Sequence, residues 1–330
     1  MSTHSKSRTA SYEYIKTIGN AAAPGQIGFR NPVDVALGQR GLLYVLNHAA
    51  ENTPNGKRVA KCTIDEEDFL GEFGTFGTED GQFSWPNSLA VDRDGDVYVS
   101  DEWLHRVSVF DPDGIFRHKW GVQGTGDGQW DRPAGLAFDG DENLLVVDSL
   151  NHRVQKFTKD GKFLTKWGGP GKGEGQFDSP WGIALDGPGN VYIADWRNDR
   201  VQKFTGDGKF LLQLGSRGNG EGELNRPSGV AVDQQGYIYV TDWGNDRVQV
   251  FDGDGKPVTQ LFGDSGLSKW GVDRLSTNPE NMLEQRARVK EPDAEKWFVQ
   301  PTAVAVDDSD RVIVVDSARH RLQIYQKHTT

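Results

Sequence analysis

Residues 133–179 read PAGLAFDGDENLLVVDSLNHRVQKFTKDGKFLTKWGGPGKGEGQFDS, and residues 180–226 read PWGIALDGPGNVYIADWRNDRVQKFTGDGKFLLQLGSRGNGEGELNR. The two stretches share one frame. A proline opens an apolar run that ends in aspartate, and a turn leads to a second apolar run closed by Asp148 or Asp195. An Asn-x-Arg-Val-Gln-Lys-Phe segment follows, then an Asp-Gly-Lys turn, a short apolar run and a glycine-rich loop. A fixed period of this size is the mark of a repeat architecture.

The frame recurs outward in both directions. Its prolines are Pro32, Pro86, Pro133, Pro180, Pro227 and Pro301, at intervals of 54, 47, 47, 47 and 74 residues. The second aspartate recurs as Asp101, Asp148, Asp195, Asp242 and Asp316, with Asn47 in its place in the first copy. The arginine recurs as Arg58, Arg106, Arg153, Arg200, Arg247 and Arg321, which makes six copies.

Each copy decodes as four short strands. Leu136–Asp139 and Leu144–Val147 flank a Gly/Asp/Asn turn suited to a tight hairpin, and Val154–Phe157 alternates apolar with polar residues as a half-buried strand does. Phe163–Trp167 is the fourth. Four strands in roughly 40–50 residues form the blade of a β-propeller, so the expected fold is all-β with six blades. An open solenoid would need polar end caps that the sequence lacks. The last copy has only three strands, while Tyr14–Ile18 is an orphan fourth strand ahead of the first proline. The N-terminal strand is therefore expected to complete the last blade and close the ring, covering a bare edge. Residues 1–11 read as a flexible tail and 12–330 as one propeller.

Composition narrows the partners. Lys plus Arg is 37 against 48 for Asp plus Glu, a net charge of −11, which argues against nucleic acid. Residues 1–10 have no apolar signal core and no run reaches membrane-span length, so a cytoplasmic protein that avoids membranes is expected. The single Cys62 excludes an internal disulfide framework. Blade one departs most from the frame, with a long loop over 47–57. An insert over 264–297 carries a helix signal from about Pro279 to Lys290, flanked by Trp270 and Trp297. Both a lid across the channel and a rim decoration fit it.

The segment Asp148-x-x-Asn151-His-Arg-Val-Gln-Lys-Phe157, with Pro227-Ser-Gly-Val-Ala-Val-Asp233, resembles the NHL repeat, whose members form six-bladed propellers. The resemblance covers nearly the whole chain. It implies the fold firmly and the function loosely, since such rings serve as scaffolds, RNA readers, sensors and lyases. It extends distantly to the peptidyl-hydroxyglycine amidating lyases, which hold zinc through histidines placed directly after these prolines. Here those positions are Val33, Asn87, Ala134, Trp181, Ser228 and Thr302, so that zinc site is not expected.

Within a propeller, the loops entering the innermost strands and those after the second strands share one face around the channel. Trp103, Trp181, Trp196, Trp243 and Glu102 fall there and are the candidate ligand contacts. Aromatic rings beside a carboxylate suit a cation, a sugar or a peptide segment. The recurrent aspartates are better read as ties to the recurrent arginines than as an acid ring, because a buried charge needs a partner. His105, His152 and His320 occupy the repeat's own histidine slot and read as structural. In blade one, Asp34 stands where other copies carry a small residue, and His48 follows Asn47. If residue 34 pairs opposite residue 45, Asp34 approaches Asn47 and Asn87, a donor set suited to a divalent cation such as calcium. Nothing else in the sequence implies a cofactor. His48, Asp34 and Arg197 are the catalytic candidates, and no Gly-x-Ser-x-Gly motif is present. Two functions follow as expectations: a propeller binding a small molecule, peptide or protein on its tryptophan-lined face, or a metal-assisted, lactonase-like lyase or hydrolase at the blade-one side.

Overall fold

A computed structural model describes residues 10–49, 56–264, 266–277, 280 and 292–329. It has six four-stranded antiparallel sheets arranged as the blades of a propeller. Blade three shows the frame as built, with strands Pro133–Phe138, Leu144–Asp148, Arg153–Phe157 and Phe163–Gly168 running from the channel outward. Blade six consists of Pro301–Val306, Arg311–Asp316 and Arg321–Thr329, completed by Ala10–Ile18 from the other end of the chain. That closing strand pairs from Ala10 with Thr329 to Ile18 with Leu322, so it starts four residues earlier than Tyr14. Its extra length is held by Tyr12, whose hydroxyl lies 3.1 Å from that of Tyr239 in blade five.

The apolar faces meet between blades. One buried cluster joins blades two and three around Val107, Trp130 and Val146, and equivalent clusters occupy the other junctions. Each has a plug three residues before the next proline, namely Phe29, Phe83, Trp130, Phe177, Leu224 and Phe298, at most 1% exposed. Glycine recurs two residues after the proline because neighbouring innermost strands nearly touch there. A Cβ on Gly182 would stand 2.4 Å from the Ser228 carbonyl oxygen, and one on Gly135 would stand 2.5 Å from that of Trp181.

The recurrent aspartate and arginine tie each loop to its blade. Asp148 is fully buried and accepts from Asp131 N at 2.8 Å, Asn151 Nδ2 at 2.9 Å and Arg153 Nε at 2.7 Å. Arg153 then spends its remaining nitrogens on the carbonyls of Thr125, Gly126 and Gln129 in the glycine-rich loop. Blades four, five and six repeat the pair with Asp195–Arg200, Asp242–Arg247 and Asp316–Arg321. A second staple links successive blades. His105, His152, Asp199, Asp246 and His320, all in left-handed conformation, accept the N–H of Arg132, Ser179, Arg226, Gln300 and Asn31 in the next blade. His and Asp alternate at this slot because both tolerate that conformation and both offer an acceptor.

Residues 268–276 of the insert pack on the outer rim between blades six and one, while the carbonyls of Ala294, Glu295, Lys296 and Trp297 accept from Arg319 and Arg321 of blade six. The insert's helix, Lys269–Ser276, is capped by Ser268 Oγ, which accepts from Gly271 N at 3.0 Å. Trp270 is buried edge-on against Phe29 at 5.4 Å and Phe69 at 5.9 Å. The helix expected over 279–290 falls outside the described residues. Trp297, the other flank, is 61% exposed.

Deleting residues 1–18 strips blade six of its outer strand and bares the edge of Arg321–Thr329. The truncated ring should melt several degrees lower and associate at high concentration through that edge. Differential scanning calorimetry with light scattering checks both; an unchanged, monomeric melt would show that the strand does not hold the ring.

Candidate functional site

In every blade but the fourth the innermost strand begins with a bulge, and this aims side chains at the channel mouth. Pro32 lies opposite Asn47 while Asp34 lies opposite Leu46, so Val33 is the extra residue. The same slip makes Asn87, Ser228 and Thr302 the extra residues in blades two, five and six. A bulge re-aims the residue it adds, here into the mouth. A second ring of side chains comes from the position just after the recurrent aspartate, at the start of a tight turn such as Trp196–Asn198 or Trp243–Asn245. A third comes from the residue just before the proline.

The three rings line a cavity of about 410 Å3, above a narrower channel of about 120 Å3 that runs between the innermost strands. The wide cavity joins Trp181, Trp196, Trp243, Glu102, Asn87 and His48, together with Trp85. Three indoles form an arc: Trp181 and Trp196 have ring centroids 4.9 Å apart and are tilted by 37°, and Trp196 and Trp243 are 5.2 Å apart at 49°. Asn87 is the hinge between this arc and blade two. Its Oδ1 accepts from Trp181 Nε1 at 2.8 Å, and its Nδ2 donates to Glu102 Oε1. Burial pushes the Glu102 carboxyl up to about 7, against the hydrogen bond from Asn87 and the charge of Arg132.

Blade one contributes the opposite wall. His48 stands edge-on to Trp85 with centroids 4.3 Å apart, and its Nδ1 donates to the Pro86 carbonyl at 3.2 Å, since that oxygen only accepts. Burial, with Lys57 nearby, lowers its pKa to about 4, so the ring is neutral at pH 7. That leaves Nε2 with its lone pair, able to accept a hydrogen bond or a proton. Lys57 Nζ lies over the Trp85 ring, 4.9 Å from its centroid.

Other expected residues lie elsewhere. Asp34 sits lower, in the channel wall, accepting from Ser88 Oγ at 2.7 Å, Leu89 N at 2.9 Å and Val35 N at 2.9 Å. Confinement there pushes its carboxyl up to about 6. Asn47 is fully buried and takes the aspartate's tying role, accepting from Arg30 N at 2.7 Å and donating to the Val45 carbonyl. The expected meeting of Asp34, Asn47 and Asn87 is therefore not formed, because the bulge moves Asp34 one place from the assumed pairing and turns it to blade two. Among the described residues no group of three or more His, Cys, Asp or Glu is placed to hold a metal ion. Trp103 is 67% exposed and Arg197 is exposed, and neither lines the cavity. Both stand two places past the aspartate, and only the first place faces the mouth.

Trp85 lines the cavity without having been singled out by its place in the repeat. The pre-proline slot holds Asn31, Arg132, Ser179, Arg226 and Gln300 at φ between 46° and 56°, whereas Trp85 is absent from the left-handed set. A bulky aromatic in a slot otherwise given to left-handed residues was the available signal. No described insert residue lines the cavity.

Fold and site together define a six-bladed ring with a preformed aromatic mouth. The chain is a six-bladed propeller that carries NHL repeats: the NHL repeat matches residues 224–251 and 298–325, and the SMP-30/gluconolactonase/LRE-like region matches 71–215. Among curated proteins it is 46% identical over 46 residues to the B-box type zinc finger protein ncl-1 of Caenorhabditis elegans, covering 14% of this chain and 5% of that protein. It is 57% identical over 42 residues to protein wech of Drosophila melanogaster, again 13% and 5%. The matched part thus spans about a twentieth of those relatives' length. Among solved structures, virginiamycin B lyase from Staphylococcus aureus superposes with a TM-score of 0.58 at 11% identity, covering 96% of this chain and 99% of the other. A Bacteroides thetaiotaomicron protein of unknown function gives 0.62 at 18% identity, covering 97% and 76%. At these identities the likeness is one of fold.

Because Glu102 reaches Trp181 through Asn87, tryptophan emission should titrate with a midpoint near pH 7. Glu102→Gln should remove that transition, and so should Asn87→Ala, because the amide that joins the carboxyl to the Trp181 indole is lost. Fluorescence read from pH 5.5 to 8.5 is the check; a flat wild-type curve would separate Glu102 from the indoles.

Proposed function

We propose that this propeller binds a small molecule or a short peptide segment in its tryptophan-lined mouth. The observation that carries the reading is the arc of Trp181, Trp196 and Trp243, half-buried and facing a cavity rather than packed into the core. Its volume lies within the roughly 300–1,000 Å3 usual for small-ligand clefts, with a few polar groups set among aromatic walls. Aromatic area held rigid before binding costs little entropy when a ligand arrives.

The reading is tested with a panel of fragments (aryl, sugar, amine and dipeptide) by saturation-transfer NMR. Fragments that bind the wild type should lose their signal in Trp196→Ala and keep it in Trp103→Ala, which lies off the cavity. Binding indifferent to Trp196→Ala would move the site elsewhere.

A second reading, a metal-assisted lactonase-like hydrolase or lyase, is supported by the gluconolactonase-type family match and by two carboxyls, Asp34 and Glu102, raised toward neutrality in one channel. It expects stoichiometric divalent metal in the purified protein and gluconolactone turnover that falls at least tenfold in Asp34→Asn. Metal-free protein without turnover in a pH-stat assay leaves binding as the function.

A further inference from the structure

We infer that the mouth selects a compact organic cation, such as a quaternary ammonium group, with Glu102 as its counter-charge and Trp181 and Trp196 as its aromatic wall. The inference rests on the reading of the mouth as the ligand site and names what that site recognises.

Three observations converge on it. The first is that indoles at this rim already hold cations of the chain itself. Lys57 Nζ lies 4.9 Å from the Trp85 ring centroid, and the Arg226 guanidinium lies 6.0 Å from that of Trp243. Both fall at the distance where a positive charge is attracted to the negative face of an aromatic ring. Trp181 and Trp196, the other two indoles of the arc, carry no such cation among the described residues, and both open to the cavity.

The second is the state of Glu102. It lines the same cavity, with Oε1 taken by Asn87, and no Lys, Arg or His forms an ion pair with it among the described residues. A desolvated carboxylate is costly until a countercharge joins it. The charges near it are Asp101, on its own strand end, and Arg132, which is exposed in blade three. Asp101 opposes ionisation and Arg132 only partly offsets burial. A cation in the cavity supplies what is missing.

The third is the neutrality of the remaining wall. His48 is uncharged at pH 7, and Ser228, Thr302 and Ser317 add only hydroxyls. An anion would find no positive group inside the cavity and would face Glu102. A sugar would stack on the indoles but leave the carboxylate without its countercharge. A methylated ammonium satisfies both walls at once, its methyl groups against the rings and its charge against Glu102.

Cation binding favours ionised Glu102 and so releases a proton. Affinity should accordingly rise with pH through about 7 and level off above it, following the raised pKa of Glu102. His48 titrates too low to contribute in this window.

The test compares choline with its uncharged carbon isostere, 3,3-dimethylbutan-1-ol, by isothermal titration calorimetry on the full chain at pH 8 and pH 6. Choline should bind about tenfold more tightly than the isostere at pH 8. That preference should shrink at pH 6 and vanish in Glu102→Gln, while Trp196→Ala should weaken both ligands. The comparison on wild-type protein needs no variant, so a misfolded variant does not blunt it. An isostere that binds as tightly as choline overturns cation selection but leaves the mouth as a site. So does a choline that fails to bind while other fragments are held in a Trp196-dependent way. If no fragment shows Trp196-dependent binding, the reading of the mouth itself fails. Choline binding that ignores both substitutions places the cation outside the mouth and overturns the inference.

Discussion

The buried aspartate–arginine pair is the constraint on which the ring depends. Asp148, Asp195, Asp242 and Asp316 have no solvent exposure, and each meets its arginine at 2.7–2.9 Å. The arginine is also the clamp on the glycine-rich loop, because its two terminal nitrogens take three loop carbonyls that would otherwise be buried without donors. Removing one partner of such a pair strands a buried charge, at a cost of about 3–5 kcal/mol. The pair thereby fixes two points at once: the turn after the second strand and the entry into the next innermost strand. Those are the two places from which the mouth is built, so the element that stabilises the blades also positions the site.

One wall of the cavity lies where this constraint is relaxed. In blade one the aspartate is the neutral Asn47, and Arg58 turns instead to Glu72 and to the carbonyls of Gly28 and Gly56. In blade two Asp101 spends both oxygens on backbone N–H groups of Ser84, Trp85, Trp103 and Leu104, while Arg106 grips only loop carbonyls. Trp85 N is held by Asp101 rather than by a staple from the preceding blade. This frees the slot from the left-handed conformation and admits a large aromatic there. The irregular junction between blades one and two is also where His48, Trp85, Asn87 and Glu102 meet.

The fold was legible because the period is written in residues that do fixed mechanical work. Proline marks the start of the bulged strand, aspartate and arginine mark the loop clamp, and the Asn-His or Asn-Asp slot marks the staple. The mouth was legible only in part. Trp181, Trp196, Trp243 and Glu102 stood out because they break the frame at slots that face the channel. Trp103 and Arg197 break it too, yet one step further along the turn reverses the direction of the side chain. Spacing from the aspartate carried that distinction, but the sequence does not show which step faces inward. A regular hairpin would set Asp34 and Asn47 on one face, and the bulge after the proline turns Asp34 to the opposite face. Bulges depend on inter-blade packing, which a single sequence does not display.

The mouth is asymmetric in a way that six nearly equal blades do not require. Aromatic surface is gathered on blades two, four and five, and at the two slots that carry Trp181, Trp196 and Trp243 blades three and six present small residues: Ala134, Ser149, Thr302 and Ser317. Within the aromatic side, blades two and four are coupled by a single amide. Asn87 donates to Glu102 and accepts from Trp181, so it cannot reorient without breaking one bond. A change in the charge of Glu102 therefore acts on the position of an indole across the channel, and a ligand that stacks on Trp181 acts back on the carboxyl. In a rigid ring this coupling needs no moving loop. The blades hold the partners, and the asymmetry of three slots per blade makes one side of the opening electrostatically active and the other merely open.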